Sequence, residues 1–316
     1  MSIATLVRDG LLPEPTPVEP QAVEPSAAAP AAASPSTALA FAFDAGYRLP
    51  FKVMLASLTK TGTLVDLPIF VYSTDATLLD DPFVRSATDR FFLVSGALAE
   101  TLEYLARERV RRPERADWNR GTFLKWSIFQ PAGVDQVLFL DADMIALGPV
   151  EPLLVRAPDA QLVGGPQFPR SLARDDAGPV PAAVLADRLE GLVTGTAPLP
   201  NRLNSGVMVV RRPLLEDDVR RALVDHAGRV VCVNEQSHLT AFFAKRPGSL
   251  ALVEPAWNFH ESYLKRLPQP VAEGILSHVR ILHYPGAQKP WLDLDRPPRR
   301  RSMALWREMA ASAKLA

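Results

Sequence analysis

Residues 137–145 read Val137-Leu138-Phe139-Leu140-Asp141-Ala142-Asp143-Met144-Ile145, an apolar run stopped by two acids one residue apart. If the strand continues through them, period-two geometry sends the side chains of Asp141 and Asp143 to one face. Two carboxylates about 5 Å apart repel by roughly 3 kcal/mol at an effective dielectric near 20, so a cation is expected between them. A hard divalent ion takes oxygen ligands of this kind and also binds phosphate oxygens. A second segment, Ile281-Leu282-His283-Tyr284-Pro285-Gly286-Ala287-Gln288-Lys289-Pro290-Trp291, ends another apolar run in a histidine. Its glycine permits close backbone approach, and its lysine could reach a phosphate. One imidazole added to two carboxylates shifts the metal preference from magnesium towards manganese.

On these residues alone three readings of the acid pair stay open. The acids could end a strand and cap the next turn. They could open a haloacid-dehalogenase-type phosphatase, with one Asp as nucleophile, the next as acid/base, and magnesium. Or they could grip the metal–diphosphate of a nucleotide sugar. The phosphatase motif usually begins its domain and continues Gly-Thr or Thr-Val, whereas here it lies mid-chain and continues Met144-Ile145.

Several elements must bring these segments together. Ala38 to Phe43, Ile69 to Tyr72, Phe91 to Val94, Gln136 to Leu140, Leu162 to Gly164, Gly206 to Val210 and Val279 to His283 read as strands. Leu49 to Leu58 and Thr122 to Phe129 read as helices, the second on a buried face. Strands alternating with helices predict an α/β domain on a mainly parallel sheet, with function at the carboxyl ends of the strands. The loop-like stretch 166–200 is long and proline-bearing, with helical composition from Ala182 to Leu192, and is expected to be an insertion or lid.

Composition narrows the function classes. The 316 residues carry 35 basic and 35 acidic side chains, so a nucleic-acid binder working through a bulk positive field is excluded. The single cysteine, Cys232, excludes an intramolecular disulfide and any multi-thiolate metal site. No stretch approaches the roughly 20 uninterrupted apolar residues of a bilayer-spanning helix. Arg8 and Asp9 interrupt the only short apolar run before the prolines, so no signal peptide is expected and the location is read as cytoplasmic. Residues 1–36 are expected to be a disordered leader, because Pro13 to Ser36 is rich in proline and alanine and lacks aromatic residues. Residues 37–295 should form the folded domain. A basic tail, 296–316, carries Arg299-Arg300-Arg301 and then a stretch of partly helical spacing. Such a tail either docks on its own domain or lies peripherally at the inner face of a membrane.

Four separated motifs, together spanning the chain from about Ala38 to Trp291, are similar to the retaining glycosyltransferases of family 8, which includes glycogenin and the bacterial lipooligosaccharide galactosyltransferases. They are Phe-Leu-Asp-Ala-Asp at 139–143, Leu-Asn-Ser-Gly-Val-Met-Val at 203–209, Glu-Gln at 235–236, and His-Tyr-Pro-Gly-Ala-Gln-Lys-Pro-Trp at 283–291. The resemblance implies a GT-A type nucleotide-sugar transferase fold: one Rossmann-like domain with a mixed, mainly parallel central sheet flanked by helices. It further implies Asp141, Asp143 and His283 as manganese ligands, magnesium being the alternative ion. Gly286 and Lys289 would hold the donor diphosphate. Phe43, Asp44 and Tyr47 occupy the place of a uridine-binding turn, Asp44 bonding the uracil edge and Tyr47 lying near its face. Lys125 matches a basic residue near the donor sugar and phosphate, and Asn204 and Ser205 match the segment lining the sugar. Glu235 and Gln236 match an Asp-Gln pair beside the anomeric carbon.

The pattern also departs from that family. Glu235 stands where Asp is usual, Ser237 follows where Asp or Gly is common, and Gly46 replaces an Asn that often supports the nucleotide turn. No carboxylate stands in 164–168, where a supporting one is usual. The implied activity is retaining transfer of a hexose, galactose or glucose, from a UDP-sugar to a carbohydrate or lipid-linked acceptor. Two alternatives remain: a catalytically silent protein that binds UDP-sugar, and the phosphatase. Oligomeric state is not legible.

Overall fold

Thr37–Ala42 (β1) has no charged residue and is almost wholly buried, which suits a strand with neighbours on both edges. The computed structural model describes Val7, Gly10, Leu12 and residues 35–314 except 113, 115, 293 and 299. Most of the leader expected over 1–36 lies outside the described residues. Asp44 terminates the chain path from β1 by accepting a hydrogen bond from the Gly46 N–H, and one 3-10 turn, Ala45–Tyr47, feeds α1 (Arg48–Lys60). Then come β2 (Ile69–Ser73), α2 (Pro82–Ala87), β3 (Arg90–Leu93), α3 (Gly96–Glu108), α4 (Ala116–Phe123), β4 (Gln136–Leu140), β5 (Met144–Ala146) and β6 (Leu162–Pro166). A short hairpin, β7 (Arg174–Asp175) and β8 (Gly178–Pro179), precedes α5 (Ala182–Val193) and β9 (Leu203–Arg211). The chain closes with α6 (Asp217–Arg229), α7 (Glu235–Phe243), β10 (Leu250–Leu252), β11 (Phe259–His260), α8 (Gln269–Leu276), β12 (Ile281–His283) and α9 (Arg301–Ser312).

Seven strands form the central sheet in the order β10-β6-β9-β4-β1-β2-β3. Only β9 runs against its neighbours, β4 and β6, so the sheet is mixed and mainly parallel. Alternation along β1 divides the core. Leu39 and Phe41 pack with Phe51 and Met54 of α1, while Ala38 and Ala40 face Phe123, Trp126 and Phe139. A third apolar cluster joins α5, α8 and α9 to β12, with Trp306 fully buried.

Two expectations need correction. The strand does not continue through the acids: β4 stops at Leu140, and residues 141–143 bend into β5, which belongs to a separate three-stranded sheet ordered β11-β12-β5. In that sheet Met144 pairs with His283. The acids and the histidine therefore meet because the chain changes sheets, with Tyr284 N–H bonded to Asp143 O at 2.9 Å, and not because of the pleat. The second correction concerns 122–129. The helix there starts earlier and ends at Phe123, and Leu124–Ile128 tightens into a 3-10 turn with every residue buried.

Stretch 166–200 contains β7, β8 and α5, whose Leu185, Leu189 and Leu192 are buried. In the tail, α9 is tied down by the Tyr284 hydroxyl, which donates to Ser302 O at 2.6 Å, and by an Arg300–Glu261 ion pair at 2.6 Å. Arg301 pairs with Glu308, and Arg299 lies outside the described residues. Among the described residues no helix is long and apolar enough to cross a membrane.

Candidate active site

A cavity of about 710 Å³ opens where β1 and β4 end. Phe43, Asp44 and Tyr47 line it from the turn after β1, and Lys125 from the 3-10 turn. Asp141 and Asp143 reach it from the bend after β4, Asn204 and Ser205 from β9, and Glu235 and Gln236 from the first turn of α7. His283 and Gly286 complete the wall. Lys289 reaches the same place by pairing with Asp143.

Asp141, Asp143 and His283 each offer a ligand atom, and these atoms lie within 4.8 Å of one another. His283 Nε2 is 3.3 Å from Asp143 Oδ1 and 3.9 Å from Asp141 Oδ2. The approach depends on Gly206 of β9, where a Cβ would sit 2.7 Å from His283 Cε1 and from Met144 Cε. Two carboxylates and an imidazole nitrogen form a donor set that fits a divalent ion such as manganese or magnesium. Each carboxylate also has a lysine. Lys125 Nζ is 2.9 Å from Asp141 Oδ1, and Lys289 Nζ bonds Asp143 and, at 2.8 Å, Tyr284 O. Burial alone would raise the Asp143 pKa, but Lys289 and His283 hold it well below the usual carboxylate range. Burial opposes the charge of Lys125 as well, yet Asp141 and Glu235 raise its pKa overall, so it stays cationic.

Glu235 behaves differently. Asn234 caps α7 by accepting from Ser237 N–H, which turns Glu235 inward, where it is 3% exposed. Both oxygens are engaged: Ser205 Oγ donates at 2.8 Å and Trp126 Nε1 at 3.1 Å. Burial pushes its pKa up to about 7 despite Lys125, Ser205 and Trp126, which act in the other direction.

A run of amides links the other residues. Gly206 N–H donates to Asn204 Oδ1 at 3.0 Å, so Asn204 presents its NH2 elsewhere, to Gln167 Oε1 at 2.9 Å. Gln236 Nε2 donates to the same Gln167 oxygen at 2.6 Å, so the Gln236 carbonyl oxygen is the other end of its amide. On the other side Asn258 Nδ2 donates to Asn204 Oδ1 at 2.8 Å, and Asn258 Oδ1 lies 2.9 Å from His283 Nδ1.

In the turn after β1, Asp44 Oδ1 accepts from Gly46 N–H at 2.9 Å, and a Cβ on Gly46 would approach that oxygen to 3.2 Å. The glycine therefore lets Asp44 brace the turn where the resemblance implied a supporting Asn. Tyr47 meets Trp291 edge to face at 5.8 Å, with Lys289 Nζ 5.7 Å from its ring centroid. Burial, then Asp143 and Asp141, raise the Tyr47 pKa, so the phenol stays protonated. Gly286 has φ +91°, a conformation that strains residues with a Cβ.

Sequence reasoning missed Gln167, Asn258, His260 and Trp126. Gln167 stands in the segment where a supporting carboxylate could not be found, and it supplies the acceptor oxygen without the charge. Asn258 had one signal: an amide inside the apolar run Ala256-Trp257-Asn258-Phe259, where a buried polar group demands partners. His260 also lines the cavity, and burial, then His283, push its pKa down to about 3.

No family model and no curated protein sequence matches this chain. Solved structures do. An active-site variant of LgtC is 16% identical with a TM-score of 0.55, over 87% of this chain and 95% of that one. The galactosyltransferase LgtC in complex with donor and acceptor sugar analogues is 15% identical with a TM-score of 0.54, over the same shares. The bifunctional glycosyltransferase WbbM, in its apo form, is 14% identical with a TM-score of 0.53 over 89% of this chain, which spans half of WbbM's length. The likeness shows the fold alone: the mixed seven-stranded sheet and its flanking helices have the GT-A type arrangement of these neighbours.

Proposed function

We propose that the protein is a retaining hexosyltransferase that moves galactose or glucose from a UDP-sugar to an acceptor hydroxyl, with a divalent ion, manganese, on the diphosphate. The observation that carries this reading is the meeting of Asp141, Asp143 and His283 in a cavity that also presents Asp44, Tyr47 and Gln236. The GT-A fold and the family-8 motifs support it. In this reading residues 37–295 make the transferase domain, residues 1–36 are a leader, and 166–200 form an insertion in the domain.

In the reaction the anomeric carbon leaves the diphosphate as the acceptor oxygen bonds to it, and the acceptor proton passes to the departing phosphate oxygen. Negative charge develops on that oxygen, and stabilising it is the main demand on the site. Asp141, Asp143 and His283 would hold the divalent ion, which supplies Lewis acidity there when bound. Lys289 adds a second positive charge, positioned by Tyr284 O. The Gln236 carbonyl oxygen faces the cationic sugar, and as an uncharged amide it stabilises without forming a durable covalent bond. Glu235 has both oxygens engaged and a pKa near 7, which disfavours it as a nucleophile. These features support front-face attack with retention over a covalent glycosyl-enzyme.

The test is a screen of nucleotide sugars for manganese-dependent donor hydrolysis. Slow UDP release from one UDP-hexose is expected, and it would identify the donor with the acceptor unknown. Binding of UDP with no turnover of any donor would point to a silent binding protein. Magnesium-dependent release of phosphate from small esters would point to the phosphatase.

A further inference from the structure

We infer that Asn258 is a positioning residue: its carbonyl oxygen accepts the Nδ1 hydrogen of His283 and thereby turns Nε2, the nitrogen that would take the ion, towards Asp141 and Asp143. The inference rests on the metal reading above and names a residue that reading does not contain. Its basis is the polarity of the amide run, which is fixed at a backbone group. Gly206 N–H can only donate, so Asn204 must turn its oxygen towards it. That same oxygen faces one terminal atom of the Asn258 amide at 2.8 Å, and two oxygens would repel there, so that atom is Nδ2. Asn258 is then obliged to present Oδ1 to His283 Nδ1, 2.9 Å away. An oxygen acceptor requires Nδ1 to carry a hydrogen, so Nε2 is the nitrogen a metal ion would take.

Packing leaves the amide no other choice of place. Asn258 is fully buried, and a Cβ on Gly165, at the irregularity between Gly164 and Pro166 in β6, would come within 2.8 Å of its Cβ. Gly206 seats the other side of the His283 ring in the same way. The two glycines leave room for ring and amide, and the backbone N–H sets which atom of the amide faces the ring. A partner on the distal nitrogen of a metal-binding histidine is what orients the ring and fixes its tautomer.

The experiment uses the full chain, metal-free and 15N-labelled, at pH 7.5. Long-range 1H–15N spectra of its five histidines are recorded, with His283→Ala assigning the signal. The expected spectrum shows His283 carrying a hydrogen at Nδ1. Asn258→Leu should shift it to a mixture containing the Nε2–H form and weaken manganese binding, read by calorimetry, roughly 10- to 100-fold. Asn258→Asp, whose protonated carboxyl can donate to Asn204 Oδ1 and still accept from Nδ1–H, should retain the Nδ1 hydrogen and bind manganese within about tenfold of the parent. A parent His283 without a hydrogen at Nδ1 would overturn the proposal, as would an Asn258→Leu protein unchanged in its Nδ1 hydrogen and in affinity. Should Asn258→Leu not fold, the parent spectrum and the Asp variant decide. If the parent binds no manganese the metal reading falls, while the tautomer still decides the role of Asn258.

Discussion

Lys289 and Asp143 stand 146 positions apart in the chain and form an ion pair with both members buried. Removing one member of such a pair leaves the other charge without compensation, at a cost of about 3–5 kcal/mol. Lys289→Ala is therefore expected to lower unfolding stability by roughly 3 kcal/mol in urea and to weaken UDP binding and turnover together. A variant with normal donor kinetics would count against the proposed role of Lys289 at the diphosphate.

Asp143→Asn keeps size and hydrogen-bonding atoms but removes the charge. Turnover of the donor should fall at least about 100-fold, the scale for one well-placed electrostatic group. Near-normal manganese-dependent transfer by this variant would refute the ligand assignment.

Glu235 gives the fold a pH signature. Its pKa is about 7 in the folded chain against the ordinary 4.5. Between those values the folded state keeps a proton that the unfolded chain has released, so this residue's contribution to stability falls as pH rises from 4.5 to about 7 and levels off above. Urea unfolding at pH 5 and pH 7.5 should show the loss, and Glu235→Gln should remove most of it. An equal slope in the variant would mean that another group causes it.

Gln167 turns the Gln236 amide by accepting its NH2. Gln167→Leu should cut kcat about tenfold, equivalent to 1.4 kcal/mol, with little change in UDP affinity. Gln167→Glu, which still accepts, should recover most of kcat. A Leu variant altered only in KM would show that Gln167 serves binding instead.

Much of this arrangement was written locally in the chain. Apolar runs such as Gln136–Leu140 and Ile281–His283 gave their strands because buried strands need nothing but continuous apolar surface. Asp141, Asp143 and His283 stood out because each ends such a run. What could not be read was how the runs are joined. Nothing in Asp141-Ala142-Asp143 announces that the chain leaves one sheet there for another, since the pairing of Met144 with His283 is a long-range choice. Two of the amides were hidden for a related reason: Gln167 and Asn258 acquire their roles from Asn204, and the apolar run around Asn258 says that it needs partners without saying which. The 3-10 turn at Leu124–Ile128 keeps a helical composition, and only tertiary packing tightens it.

The central claim is that Asp141, Asp143 and His283 share one ion, and electron paramagnetic resonance titration of manganese into the full chain tests it most directly. One tightly bound ion per chain is predicted, perturbed by added UDP and lost in both Asp143→Asn and His283→Ala. No bound ion in the parent, or a bound ion indifferent to both substitutions, would contradict the account.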